Sequence, residues 1–150
     1  MLLMVLLSAW RVPGGHAAPA AEVSVTVNRT GELDVTPYGR LSGHDLHPGQ
    51  FAEADFIVTN TTGATRAVRV RARAPAVDLD EQLAINVLAS NRTLFSGVLA
   101  GLRVAPSRRI VLAAGARAQV VVWIWLPTRA RAYRARVADI SLELASEAAR

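Results

Sequence analysis

Between positions 68 and 73 the chain reads Val-Arg-Val-Arg-Ala-Arg. Strict alternation of that kind has one good structural solution, an extended strand with a dry face and a wet face. Val68, Val70 and Ala72 then point into a core, and Arg69, Arg71 and Arg73 point away from it. A helix would scatter the same residues around its circumference.

The same period recurs along the chain. Val23, Val25 and Val27 alternate with Glu22, Ser24 and Thr26, and Phe56 and Val58 alternate with Asp55, Ile57 and Thr59. Near the end, Ile140, Leu142 and Leu144 alternate with Asp139, Ser141 and Glu143. Strands are also expected over Leu83–Val87, Leu94–Leu99, Ile110–Leu112 and Gln119–Leu126, with a helical turn at Asp78–Ala84 as the alternative there. Turn chemistry separates these runs: Arg29-Thr30-Gly31-Glu32, Asn60-Thr61-Thr62-Gly63, Asn91-Arg92-Thr93 and Gly115. The first turn predicts a hairpin that returns through Leu33–Thr36. The Pro- and Gly-rich stretch from Pro37 to Gln50 reads as a loop. Short punctuated strands without a sustained helical period predict an all-β fold, an immunoglobulin-like or jelly-roll antiparallel two-sheet sandwich.

The opening differs in kind. Met1–Trp10 is almost wholly apolar, Pro13-Gly14-Gly15 breaks it, and small residues follow at Ala17, Ala18, Ala20 and Ala21. That order predicts a secretory signal peptide over residues 1–21, cut near Ala20 or Ala21, with a single sandwich domain over 22–150. No basic residue precedes the run and Arg11 follows it, so the expected n-region would lie ahead of Met1. The run is too short for a membrane anchor, and no transmembrane span is expected in the mature chain. A secreted, extracellular or cell-surface location follows from this reading.

With no cysteine in its 150 residues, the chain has neither disulfides nor thiolate chemistry, and burial must hold the fold. The formal charge is +5, carried wholly by arginine. The arginines are spread along the chain without interleaved aromatics, which argues against specific nucleic-acid binding. Motifs for a hydrolase, a kinase, a nucleotide binder or a zinc protease are missing, so no catalytic residue and no cofactor is expected. His44 and His47 flank Asp45 in the expected loop, but three residues apart with no third ligand they read as solvated histidines. Three of the four asparagines stand in N-x-T triplets, at Asn28, Asn60 and Asn91, and they read as turn residues in preference to glycan acceptors. Leu126-Pro127-Thr128-Arg129-Ala130 lacks the closing glycine of a wall-sorting signal.

Trp123 and Trp125 form the sharpest candidate site. If Val120, Val122 and Ile124 face the core, both tryptophans share the opposite face. Each ring has about 150–250 Å² to bury. Either another element covers them or they form a docking patch, unless they turn inward across a wide sandwich.

The order of motifs from Leu46 onward resembles the TasA and camelysin type of exported bacterial proteins. The resemblance rests on Leu46-His47-Pro48-Gly49-Gln50, Val58-Thr59-Asn60-Thr61-Thr62-Gly63, Leu94-Phe95-Ser96-Gly97, Leu112-Ala113-Ala114-Gly115 and Trp125-Leu126-Pro127, with Tyr133 before the last strand. It covers roughly Val23 to Ala145, and Arg134-Ala135 departs from its pattern after Tyr133. The resemblance implies a secreted β-sandwich of the cell surface or biofilm matrix, associating with copies of itself or with another matrix protein, and the absence of catalytic motifs makes the expected role non-enzymatic. The resemblance also implies fibre assembly in which one subunit's strand completes the next subunit's sheet; Val23, Val25 and Val27 would mark that strand. A camelysin-like metalloprotease using His44 and His47 is the last-ranked alternative, because no zinc motif accompanies them. The nearer alternative is a monomeric module that binds anionic surface polymers through Arg69, Arg71 and Arg73.

Overall fold

The computed structural model describes residues 21–37, 39–73, 78–129 and 137–150, with side-chain placement for all of them except 21 and 39–45. Within these residues the chain is an all-β two-sheet sandwich. One sheet, here sheet A, orders its strands β3 (Gly39–Leu46), β1 (Ala21–Arg29), β10 (Val137–Ala148), β5 (Arg66–Arg73) and β8 (Ile110–Leu112). Sheet B orders β2 (Leu33–Thr36), β4 (Phe51–Asn60), β9 (Arg117–Trp125), β6 (Ala84–Ala89) and β7 (Arg92–Val98). Neighbours are antiparallel except β1 and β10, which run parallel from Glu22↔Val137 to Arg29↔Leu144.

The core forms where the alternation predicts it. Val23, Val25, Val27, Val68, Val70, Ile140, Leu142 and Leu144 enter from sheet A; Phe56, Val58, Val120, Val122 and Ile124 meet them from sheet B. Burial of these aliphatic and aromatic side chains, each contributing about 1.5–3 kcal/mol, supplies the stability that disulfides cannot.

Three local expectations change. The β1–β2 pair is not a hairpin: β2 pairs with β4 in sheet B, and Thr30–Glu32 carries the chain from one sheet to the other. Thr30 fixes this arch by donating both its N–H and its hydroxyl to the Leu144 carbonyl, at 3.1 and 3.0 Å, while Arg29 donates to the Leu33 carbonyl at 2.6 Å. Gly31, at φ +68, supplies the left-handed residue the arch needs. Val27 and Leu33 thus bury from opposite sheets, an outcome the turn residues alone do not distinguish from a hairpin.

Second, the Pro37–Gln50 stretch contains a strand. β3 pairs antiparallel with β1, with a register shift between Val23 and Val25. Glycine content hid it, because Gly39 and Gly43 remove the side chains that make a period visible. Third, β7 stops at Val98 and gives way to a short helix, α1 (Leu99–Val104). With the 3-10 turn Asp78–Glu81 it closes one side of the sandwich, where Leu79, Leu83, Leu99 and Leu102 are fully buried. The Leu99 N–H donates to the Leu83 carbonyl at 2.9 Å, and Arg103 of α1 meets the buried Asp80 carboxylate at 2.5 Å.

Candidate binding face

Period two along β4 and β9 decides what sheet B shows to solvent. Ala52, Ala54, Phe56 and Val58 face inward, so Phe51, Glu53, Asp55 and Ile57 face outward. On β9 the same logic sends Val121, Trp123 and Trp125 out, as the sequence suggested for the tryptophans. The registers align these residues into rows across the sheet. Phe51, Trp125, Ala84 and Val98 stand opposite one another in turn across β4, β9, β6 and β7, and Glu53, Trp123, Asn86 and Ser96 form the next row.

The first row is therefore apolar over four strands. Phe51 is 66% exposed, Trp123 38% and Val98 47%, while Trp125 is half-buried. Trp123 satisfies its one polar atom by donating Nε1–H to the Glu53 carboxylate at 2.7 Å. Gln119 likewise donates to Asp55 at 2.7 Å. In the neighbouring column the Asn86 Oδ1 is buried without a hydrogen-bond partner.

A groove of about 390 Å³ opens at the end of this face, lined by Gly49, Phe51, Glu53, Trp123 and Trp125. Its rim joins two distant motifs. The Gly49 N–H donates to the Leu126 carbonyl at 2.6 Å, and the Leu126 N–H donates to the Gln50 carbonyl at 3.3 Å. Gly49 sits at φ +87, and a Cβ there would stand 3.0 Å from the Thr128 methyl. A side chain is therefore excluded by backbone conformation and by space together. Phe51 and Glu53 escaped sequence reasoning because alanines at 52 and 54 blur the alternation that would have started β4 there, and Gly49 was marked only as part of a motif.

The Arg69, Arg71 and Arg73 stripe faces outward from sheet A but is answered by carboxylates on β10. Arg73 forms a two-pronged pair with Glu143, Arg69 approaches Glu147 at 3.6 Å, and Arg71 stands directly opposite Glu143 in the register. Glu143 is itself only 7% exposed. Much of the stripe's charge is thereby compensated inside its own sheet.

Val23, Val25 and Val27 are core residues, and β1 lies in the interior of sheet A with ladders on both sides. Its outward residues tie it further to β10: Ser24 donates to Asp139, and Asn28 donates to the Ser141 hydroxyl at 2.8 Å. Asn28 is thus a strand residue, not a turn residue.

His44 falls in β3 and His47 just past it, exposed, so the pair does not share the loop expected for it. Among the described residues no group of three or more His, Cys, Asp or Glu is placed to hold a metal ion. Residues 1–20 of the expected export segment and Tyr133 lie outside the described residues, while Ala21 opens β1, and no described helix is long and apolar enough to cross a membrane. A scan against protein-family models finds no match for this chain, and a search of curated proteins finds no significant relative.

Proposed function

We propose that this protein is an exported, non-catalytic structural subunit of the cell surface or its matrix, associating with copies of itself through the outer face of sheet B. The observation that carries this reading is the apolar row Phe51–Trp125–Ala84–Val98 with Trp123 beside it, presented on a regular sheet. Exposed aromatics so grouped are more costly in water than scattered ones, and aromatic anchors dominate association energies. An exposed sheet face suits a second identical face, since sheets stack about 10 Å apart through interdigitated side chains. The likeness of its motifs to the TasA and camelysin type belongs to the same reading, and two of those motifs, Pro48-Gly49-Gln50 and Trp125-Leu126-Pro127, meet at the rim of the groove.

Light scattering on the mature chain tests it. Assembly present in the native protein and lost in Trp123→Ser/Trp125→Ser, with the fold intact by circular dichroism, supports the reading; equal assembly in both sinks it. A second reading, strand exchange through β1, draws on the burial of Val23, Val25 and Val27: a swapped β1 would keep every one of those contacts in the neighbouring subunit.

A further inference from the structure

We propose that the surface carrying Arg92, Arg109 and Arg150 is a binding site for a linear polyanion, a polymer of repeated phosphate or carboxylate groups. Arg29, Arg66, Arg69, Arg73 and Arg103 each pair with a carboxylate, of Asp34, Glu32, Glu147, Glu143 and Asp80 respectively. Arg71, Arg92, Arg108, Arg109, Arg117, Arg129 and Arg150 are exposed and make no ion pair with a described residue, and of these Arg92, Arg109 and Arg150 line adjoining hollows.

These three arginines are brought together by the fold. They lie at the open side of the sandwich, where the edge strands β7 and β8 approach and the Arg108 N–H donates to the Leu94 carbonyl at 3.0 Å. The turn at Ser90 and Asn91, with φ 47 and 63, delivers Arg92 to the start of β7, and Arg109 immediately precedes β8. Two hollows adjoin there. One, of about 400 Å³, is lined by Arg92 and Arg109 with Leu94, Ile110 and Val111. The other, of about 420 Å³, is lined by Arg109, Arg150, Ala148 and Glu147.

Arg109 belongs to both, so guanidinium charge continues from one hollow to the next. The first hollow sets Leu94 and Ile110 beside its two guanidiniums, and apolar walls of this kind strengthen attraction to an anion relative to open water. Glu147 is the one side-chain carboxylate among the described lining residues of the second, and Arg69 approaches it at 3.6 Å. A single small anion fills one hollow and meets two guanidiniums, each contact weak at an exposed position. A polymer with repeated charge engages both hollows at once, and its affinity multiplies through release of counterions. No aromatic side chain is among the described lining residues of either hollow, so bases would find no stacking platform.

The test is a titration of the full chain with short-chain inorganic polyphosphate, in parallel with poly-L-glutamate and single-stranded DNA, at rising sodium chloride. Binding is expected to weaken steeply with salt and to fall at least ~tenfold in Arg92→Gln/Arg109→Gln. Arg71→Gln/Arg129→Gln removes the same charge elsewhere and is expected to shift binding by less than about twofold. Tighter binding of polyphosphate assigns the ligand to phosphate-bearing polymers, and tighter binding of poly-L-glutamate to carboxylate-bearing ones; either upholds the site. Absence of binding to both, equal weakening by the two double variants, or binding confined to DNA overturns it. The titration does not depend on self-association, so its failure leaves the reading of sheet B standing.

Discussion

Asn60 shows how much one side chain organises. It ends β4 fully buried, and its Nδ2 lies 2.8 Å from the Ala64 carbonyl and 3.0 Å from those of Leu112 and Ala113. Its Oδ1 accepts from the Thr62 N–H at 3.0 Å and from the Thr62 hydroxyl at 2.8 Å. The amide thus joins the β4–β5 turn to the segment after β8, coupling the two sheets at one end. Asn60→Ala takes this donor from the buried Leu112 carbonyl and the acceptor from the Thr62 N–H and hydroxyl, and should cost about 1–3 kcal/mol in urea unfolding. A loss below about 1 kcal/mol would show that water replaces the amide. Asn60→Asp should cost at least as much, since a carboxylate turned toward carbonyls meets only acceptors. The sequence offered Asn60-Thr61-Thr62 as a turn, and turn it is, but its burial depends on Leu112 and Ala113, some fifty positions away. By contrast, the inward placing of Val68, Val70 and Ala72 was legible, because alternation is a local property and every strand must bury one face.

At the scale of elements, legibility fades where partner choice takes over. The sequence marks a reversal at Arg29–Glu32, yet whether the returning strand joins the same sheet or the facing one depends on hydrogen bonds from Thr30 to Leu144. The helix α1 was hidden for another reason: six residues are too few to display a helical period. It is held in place by tertiary contacts, Leu99 and Leu102 in the core and Arg103 on Asp80. That ion pair is deeply placed, with side-chain exposures of 15% and 3%. Removing one partner strands a charge, so Asp80→Ala should lower stability by about 3–5 kcal/mol. The double variant Asp80→Leu/Arg103→Met should recover most of it. Thermal unfolding of the two variants checks both statements, and a double variant no better than Asp80→Ala alone would mean that the pair does more than neutralise itself.

For the whole molecule, the arrangement of β1 separates the two routes to assembly. Its Val face was legible, but its neighbours were not, and its interior position between β3 and β10 bears directly on mechanism. Strand exchange must break both ladders of β1 and remake them in another copy, whereas docking through sheet B leaves every ladder intact. Because the chain has no cysteine, a lock can be introduced without competing thiols. Thr26 and Ser141 are opposed in the parallel register and both sit on the outer face of sheet A, so Thr26→Cys/Ser141→Cys should oxidise within one chain. With β1 tied to its own β10, exchange is closed while the aromatic face stays free. Assembly measured by light scattering is then expected to be the same for the oxidised and the reduced protein. Assembly that appears only after reduction would transfer the mechanism from the tryptophans of β9 to the valines of β1, because no other step of association needs β1 to leave its sheet.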